Sequence, residues 1–353
     1  MTSSARVTPA QASDARKAYY DRIAEHNLAP LWERISTLVT RSPQPAAQPV
    51  RWRFAAVRPH LIASGSLLSV EEAERRVLVL ENPGIPGQSQ ITGSLYAGLQ
   101  LLLPGERAGA HRHTASALRL ILEGSRAYTA VDGERTPMAR GDFIITPSWT
   151  WHDHGNDGAD PVIWLDGLDV PIVNLFATSF FEHYEGDFPA SRPALDCEAR
   201  YGGALLPESA PPRSLSSPLL NYRYERARET LATLYRNGPV DPCHGVKLRY
   251  ANPLTGGPVM PTMSAAIQLI PAGFETAPYR STDGTVFLVI EGKGRSHVGE
   301  TSFDWAENDI FVVPSWAPQQ HAAEKEAVLF SFSDRVAQEK LGIWREQRDK
   351  NSA

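Results

Sequence analysis

Four short stretches of this chain return at one fixed interval. "PSW" at 147–149 recurs at 314–316, "GDFIIT" at 141–146 matches "NDIFVV" at 308–313, "LEG" at 122–124 matches "IEG" at 290–292, and "PGE" at 104–106 meets "PAG" at 271–273. Every pair is offset by 167 or 168 residues. One spacing shared by four separate stretches is the mark of a duplicated unit. The chain is therefore expected to fold as two copies of one architecture.

The repeated unit reads as β-structure. From about residue 91, short apolar runs such as "YAGLQLLLP", "SALRLILEG", "RAYTAVDG" and "DFIITPSW" are separated by Gly, Pro and Asp turns. Many short strands of this kind build a sandwich or barrel rather than a parallel sheet with crossover helices. Helical patterns flank the strands. Residues 13–39 read as a helix capped at Ser13 or Asp14 and interrupted at Pro30. A short helix is expected over 69–82, where Ser69 and Glu72 have capping-box spacing. A Pro-, Ser- and Gly-rich stretch from about 186 to 245 reads as a wrapping linker with one helix at "YERARETLATLYRN". The C-terminal "DRVAQEKLGIWREQRDK" reads as an amphipathic helix.

These boundaries divide the chain into a helical arm (1–90), a first barrel (91–185), a linker (186–260), a second barrel (261–335) and a terminal helix (336–353). With 42% apolar and 21% charged residues over 353, the chain can bury a sizeable core. Its formal charge of −5 is spread without runs, which excludes a basic surface for nucleic acid or anionic membrane. Two cysteines without CxxC spacing, Cys197 and Cys243, argue against a disulfide framework or a thiolate metal site. No apolar run approaches the eighteen or so residues of a membrane span, and the first residues hold no signal-like core, so a cytoplasmic location is expected.

Histidine is where the two copies differ. Four of the ten histidines fall in "HRHTASALR" (111–119) and "SWTWHDHGN" (148–156). Side chains alternate along a strand, so His111 and His113 share one face, and His152 and His154 share another. Arg119 has the same parity as the first pair if the strand is unbroken. Imidazoles grouped this way suit Fe, Zn, Cu or Ni and leave coordination positions open. A lone His-x-His is more often an accident of composition. Here Gly105 precedes His111-x-His113 by five residues, and Gly141, Pro147, His152 and Asn156 follow in a second fixed spacing.

Together these stretches resemble the two motifs of the cupin superfamily, small β-barrels that enclose a metal. The usual first motif carries a Glu after His-x-His; "HRHTASAL" has none, which points to three histidines without a carboxylate. "ERRVLVLENPG" (74–84), "LYAGLQLLLPGE" (95–106), "HRHTASALR", "YTAVDGER" and "GDFIITPSWTWHDHGN" further resemble the gentisate 1,2-dioxygenase family, which includes salicylate and 1-hydroxy-2-naphthoate enzymes. The resemblance covers nearly the whole chain. It implies a mainly β bicupin, two tandem cupin barrels with N- and C-terminal helices, often assembled as a tetramer. It further implies Fe(II) on His111, His113 and His152, and an aromatic acid and O2 as partners.

The resemblance also implies a reaction, cleavage between the carboxyl- and hydroxyl-bearing ring carbons. Arg119 is then expected on the substrate carboxylate, since a planar guanidinium can pair with it through two hydrogen bonds. Arg75 is a second carboxylate candidate; alone it would be an ordinary solvated helix arginine. Tyr96, Gly98 and Gln100 alternate on one face and are expected to line the pocket, or else to be plain core. His154 is expected as an acid–base group, with Asp166 orienting it or touching a ring substituent. Trp149 and Trp151 are expected to pack the barrel. Gentisate is the favoured substrate because Tyr96 matches the gentisate enzymes where the salicylate enzyme has Trp. Ala115 and Ser125–Arg126 depart from the family near the expected site and keep substituted salicylates in play. A Zn- or Mn-cupin isomerase or decarboxylase, which would keep the Glu more often, and a non-catalytic bicupin, which would lose the histidines, fit less well.

The second copy has "FETAPYRST" in place of "AGAHRH". At an offset of 167, His152 falls on Gln319 and His154 on His321. The C-terminal barrel is expected to hold no metal.

Overall fold

The computed structural model describes residues 9–348 except 187 and 212. The chain divides into two compact units, 1–44 and 45–353. The first holds the helices Pro9–Ala24 and Leu31–Leu38, with Pro30 at the N-cap of the second. Within it the Trp32 indole donates to the Tyr20 hydroxyl at 2.9 Å. The helix expected to start at Ser13 or Asp14 begins at Pro9, a residue whose fixed φ suits the first helical position. Residues 1–8 and 349–353, which carry the ends of the expected arm and terminal helix, lie outside the described residues.

The second unit contains two copies of one pair of sheets. In the first copy a six-stranded sheet runs Asn221–Tyr222, Phe143–Thr146, Ala117–Glu123, Val162–Leu168, Tyr96–Leu102, Val77–Val79. A five-stranded sheet beside it runs Phe181–His183, Arg107–His113, His152–Asn156, Ala127–Val131, Glu134–Pro137. The second copy repeats this order. Its six strands are Val50–Trp52, Ile310–Val313, Thr285–Glu291, Ala327–Ser333, Ser264–Ile270 and Val246–Arg249. Its other five, in mirrored listing, are Glu346–Arg348, Tyr279–Ser281, Gln319–Ala323, Gly294–Val298 and Thr301–Trp305. The duplication reaches the backbone: Trp149 and Trp316, the tryptophans of the two "PSW" stretches, both sit at positive φ, 62° and 63°. The fold is the mainly β bicupin that the resemblance implies, with the duplication that the repeat implies.

Every long strand of the six-stranded sheets is buried on both faces, and period two decides what each face does. Leu99 and Leu101, Leu118 and Leu120, and Ile163 and Leu165 face a core shared with Ile267, Val286, Leu288, Phe330 and Phe332 of the second copy. The barrels are thus joined sheet to sheet through one apolar layer. Gly167 lies in this seam, where an added Cβ would stand 2.7 Å from the Phe332 ring. The alternate residues Tyr96, Gln100, Arg119 and Asp166 turn the other way, into the first barrel. The alternation that fills the seam therefore also aims the polar groups.

Several expected boundaries move. The arm drawn to residue 90 contributes Val50–Trp52 to the second barrel, paired with Ile310–Val312, and Val77–Val79 to the first, paired with Gly98–Gln100. The helix over 69–82 is a single turn, Val70–Ala73; its Ser69–Glu72 capping box is present. The alternating "RRVLVL" beyond it forms a strand, where β-branched residues pack well on a pleated surface. A helix that the sequence reading missed, Phe54–Leu67, runs through Pro59. The linker holds the expected helix, Tyr224–Asn237, and also lends Asn221–Tyr222 to the first barrel. The terminal helix stops at Lys340 because the chain turns at Gly342, φ 73°, and returns as the strand Glu346–Arg348. No disulfide joins Cys197 to Cys243. Among the described residues no helix is long and apolar enough to cross a membrane.

Candidate active site

His111 and His113 lie on one strand and His152 on its neighbour, directly opposite His111. One ligand atom from each comes within 4.8 Å of the others. His113 Nδ1 is 2.8 Å from the Ala115 carbonyl and His152 Nδ1 is 3.0 Å from the Thr150 carbonyl, which fixes both rings and leaves Nε2 of each for a ligand. The Arg75 guanidinium contacts His111 Nδ1. Burial, reinforced by Arg119 at all three and by Arg75 at His111 and His113, pushes the imidazoles below their ordinary range, His111 to about 2, so all three are held neutral as metal ligands must be. Among the described residues no carboxylate joins this group. Three neutral nitrogens with open positions fit a divalent first-row metal such as Fe(II).

The triad sits in a cavity of about 370 Å³. Arg119, Asp166, His154, Tyr96, Gln100 and Arg75 line it together with the three histidines. The parity argument for Arg119 does not hold: the strand is broken after His113, and Arg119 belongs to the other sheet. It reaches the same cavity because Thr114–Ser116 carries the chain across the barrel's edge. Arg119 Nη1 donates to Thr146 Oγ1 at 2.5 Å, and its Nε stands 3.3 Å from Asp166 Oδ1 without the alignment of a hydrogen bond. The Trp164 indole donates to the same carboxylate at 2.9 Å. Burial pushes the Asp166 carboxyl up, to about 6, against the pull of Arg119.

Arg75 is not a helix residue. Glu74, at φ 51°, ends the helical turn and sends Arg75 inward, where Nη2 donates to the Gly109 carbonyl at 2.7 Å. Its neighbour Arg76 turns the other way and pairs with both carboxylate oxygens of Glu106 at 2.8 Å. Gly98 adds no side chain to the cavity. Its missing Cβ makes room for the Tyr96 phenol, whose hydroxyl would stand 2.8 Å from that atom. His154 Nδ1 is 3.0 Å from Thr129 Oγ1, and burial holds the ring neutral. Asp166 is tied to Arg119 and Trp164 rather than to His154.

Trp149 and Trp151 do not pack the barrel interior. They hold the Arg112 guanidinium between them, 4.4 Å from each ring, on the far side of the His111–His113 strand. Ala115 and Ser125 do not line the cavity either. The sequence reading missed Val77, Gln90, Val170 and Asn174, which do line it. Val77 was signalled by the alternation in "RRVLVL"; the loop residue Gln90 and the short helix Val170–Leu175 carried no local signal.

A β-barrel with three inward imidazoles and open coordination positions defines a metal-binding cupin, and residues 98–169 match the cupin domain family. Over 335 residues the chain is 54% identical to gentisate 1,2-dioxygenase 1 of Aquipseudomonas alcaligenes, covering 95% of this chain and 96% of the relative. It is 35% identical to the 5-aminosalicylate 1,2-dioxygenase of a Comamonas species, over 94% and 89% of the two chains. The crystal structure of salicylate 1,2-dioxygenase from Pseudoaminobacter salicylatoxidans with gentisate superposes with a TM-score of 0.90 at 34% identity, over 99% and 97%. The chain belongs to the gentisate 1,2-dioxygenase family and is a ring-cleaving dioxygenase.

Proposed function

We propose that this chain is an Fe(II)-dependent dioxygenase that opens the ring of gentisate between its carboxyl- and hydroxyl-bearing carbons to give maleylpyruvate. The observation that carries this reading is the placement of two cations, Arg119 and Arg75, in one cavity with three neutral imidazoles. Iron on His111, His113 and His152 would supply the Lewis acidity and the redox link between ring and O2 that no side chain here provides.

The remaining groups position the substrate. Arg119 offers its free Nη2 edge to the carboxylate, held in place by Thr146 and Asp166. Arg75 adds a second positive charge beside His111. Tyr96, kept protonated by burial, can donate to the 5-hydroxyl that distinguishes gentisate from salicylate. His154, with Nδ1 occupied by Thr129, presents Nε2 as a neutral acid–base group. Gln100 and the Cβ-less Gly98 shape the wall. The enzyme works as a cytoplasmic homotetramer in this reading.

The test is anaerobic reconstitution with Fe(II), followed by O2 uptake and ultraviolet spectra with gentisate, salicylate and 5-substituted salicylates in parallel. Fast uptake confined to gentisate supports the proposal. Equal or faster turnover of salicylates lacking a 5-hydroxyl moves the enzyme to that substrate class, and no uptake with iron bound overturns it.

A further inference from the structure

The second barrel keeps its cavity. At about 380 Å³ it matches the first in size, yet its lining is different. Tyr279 pairs with Gln319 where His111 pairs with His152. His321, the counterpart of His154, is engaged at both nitrogens, Nδ1 2.7 Å from Ser296 Oγ and Nε2 3.0 Å from Gln319 Oε1. At the position of Arg119 stands Phe287, whose ring forms part of the wall.

The cation has moved to another strand. Lys247 lies opposite Gln268 as Val77 lies opposite Gln100, so a lysine replaces a valine at the cavity edge. Its Nζ is 5.8 Å from the Phe287 ring centre, and among the described residues no carboxylate forms an ion pair with it. The acids of the cavity are engaged elsewhere. Asp241 takes Arg348 at 2.9 Å, Glu346 accepts from Tyr279 at 2.9 Å, and Asp283 accepts from Trp344 at 2.8 Å. Burial brings Lys247 down to about 8, so the ammonium still prevails at neutral pH.

A second donor is also unanswered. Gln268 is 1% exposed and shares the strand face of Ser264 and Ala266, which line the cavity, yet its Nε2 has no hydrogen-bond partner. A buried amide donor without an acceptor is costly, and Gln268 lies directly across the strand ladder from the half-buried Lys247. A ligand in the cavity that brings negative oxygens would answer the Lys247 ammonium and the neighbouring Gln268 amide together. The aromatic wall of Phe287 favours an organic anion over an inorganic one.

We propose that the C-terminal barrel is a second, metal-independent binding site for a small organic carboxylate, held by Lys247 and Gln268 against Phe287. The ring acid that enters the first barrel and an open-chain dicarboxylate of the kind ring cleavage yields share this chemistry. The proposal stands whether or not gentisate proves to be the substrate.

Calorimetric titration of the full-length, metal-loaded protein without O2 tests it, with gentisate, maleate and inorganic phosphate as separate probes. For gentisate or maleate, binding is expected at a site that Lys247→Met weakens about 100-fold, the loss of one charge-assisted contact and the ion pair. The first site is marked by its loss in Arg119→Met, so two gentisate sites per chain identify the ring acid as occupant. A maleate site that survives Arg119→Met identifies the open-chain acid. One gentisate site per chain, lost in Arg119→Met, with no maleate site, overturns the proposal on unmodified protein, without reliance on the folding of Lys247→Met. Saturation by phosphate alone overturns it equally.

Discussion

Asp166 faces Arg119 directly across the strand ladder of the first barrel, Oδ1 3.3 Å from Nε, with both residues at most 5% exposed. A buried carboxylate that only approaches Nε holds the guanidinium plane and leaves its far edge for a ligand. Truncating either partner strands a buried charge. Arg119→Lys keeps the charge and loses the planar fork, so kcat/KM is expected to fall about 100-fold, the cost of roughly 2–3 kcal/mol of charge-assisted hydrogen bonding. Steady-state kinetics beside metal analysis checks this; unchanged kcat/KM at full metal content would refute the carboxylate role.

His113→Ala and His154→Gln should separate ligand from acid–base group. The first removes one of three nitrogens, and bound metal is expected to fall from one per chain to below about a tenth under dialysis. The second leaves the triad intact, so metal stays while kcat drops about 100-fold, within the usual range for general acid–base catalysis. Metal loss in His154→Gln would make it a ligand instead.

Tyr96 is the group to test for substrate choice. Among the described residues nothing hydrogen-bonds its hydroxyl, which rests above Gly98. Tyr96→Phe is expected to lower kcat/KM for gentisate about tenfold and leave that for salicylate unchanged, the worth of one hydrogen bond. A uniform loss with both substrates would reduce Tyr96 to packing.

Asp334, just after the strand Ala327–Ser333, accepts from Gly284 N at 2.9 Å, as Asp169, just after Val162–Leu168, accepts from Ser116 N at 2.7 Å in the first barrel. Burial raises the Asp334 carboxyl from 3.8 to about 6. Between those values the folded state binds the proton more tightly than the unfolded one, so this group's contribution declines as pH rises. It is fully present below about pH 4 and gone above about pH 6, a loss on the order of 2–3 kcal/mol. Asp334→Asn keeps an acceptor for Gly284 N and removes the titration. Its denaturation midpoint is expected to exceed that of the unmodified protein by more at pH 7 than at pH 5; the same difference at both would contradict this.

Much of the fold was legible because duplication is a relation between distant segments that needs no knowledge of packing. The triad was legible for a related reason: His-x-His on a strand fixes a shared face by period two alone. Arg119 was found for a partly mistaken reason, since strand parity cannot see that the chain changes sheets after His113. What failed were decisions settled by tertiary contact. Pro59 reads as a helix breaker, yet Phe54–Leu67 passes through it with Leu61 fully buried. Arg75 and Arg76 are adjacent and chemically alike; only the turn at Glu74 sends one to the metal cavity and the other to Glu106. The terminal segment has helical periodicity, but Gly342 and an open sheet edge make a strand of its last described residues.

The exchange of edge strands between segments bears on how the molecule is made. Val50–Trp52 finds its partner only in Ile310–Val312, about 260 residues later in synthesis. At about 5–20 residues per second, a ribosome leaves that strand waiting roughly 13 to 52 s. The first barrel, closed locally by Asn221–Tyr222, can form in that interval; the second must be assembled around a segment translated before either. The newborn chain thus carries an unpaired apolar edge through most of its own translation, and its yield in the cell should depend on what shields that edge meanwhile.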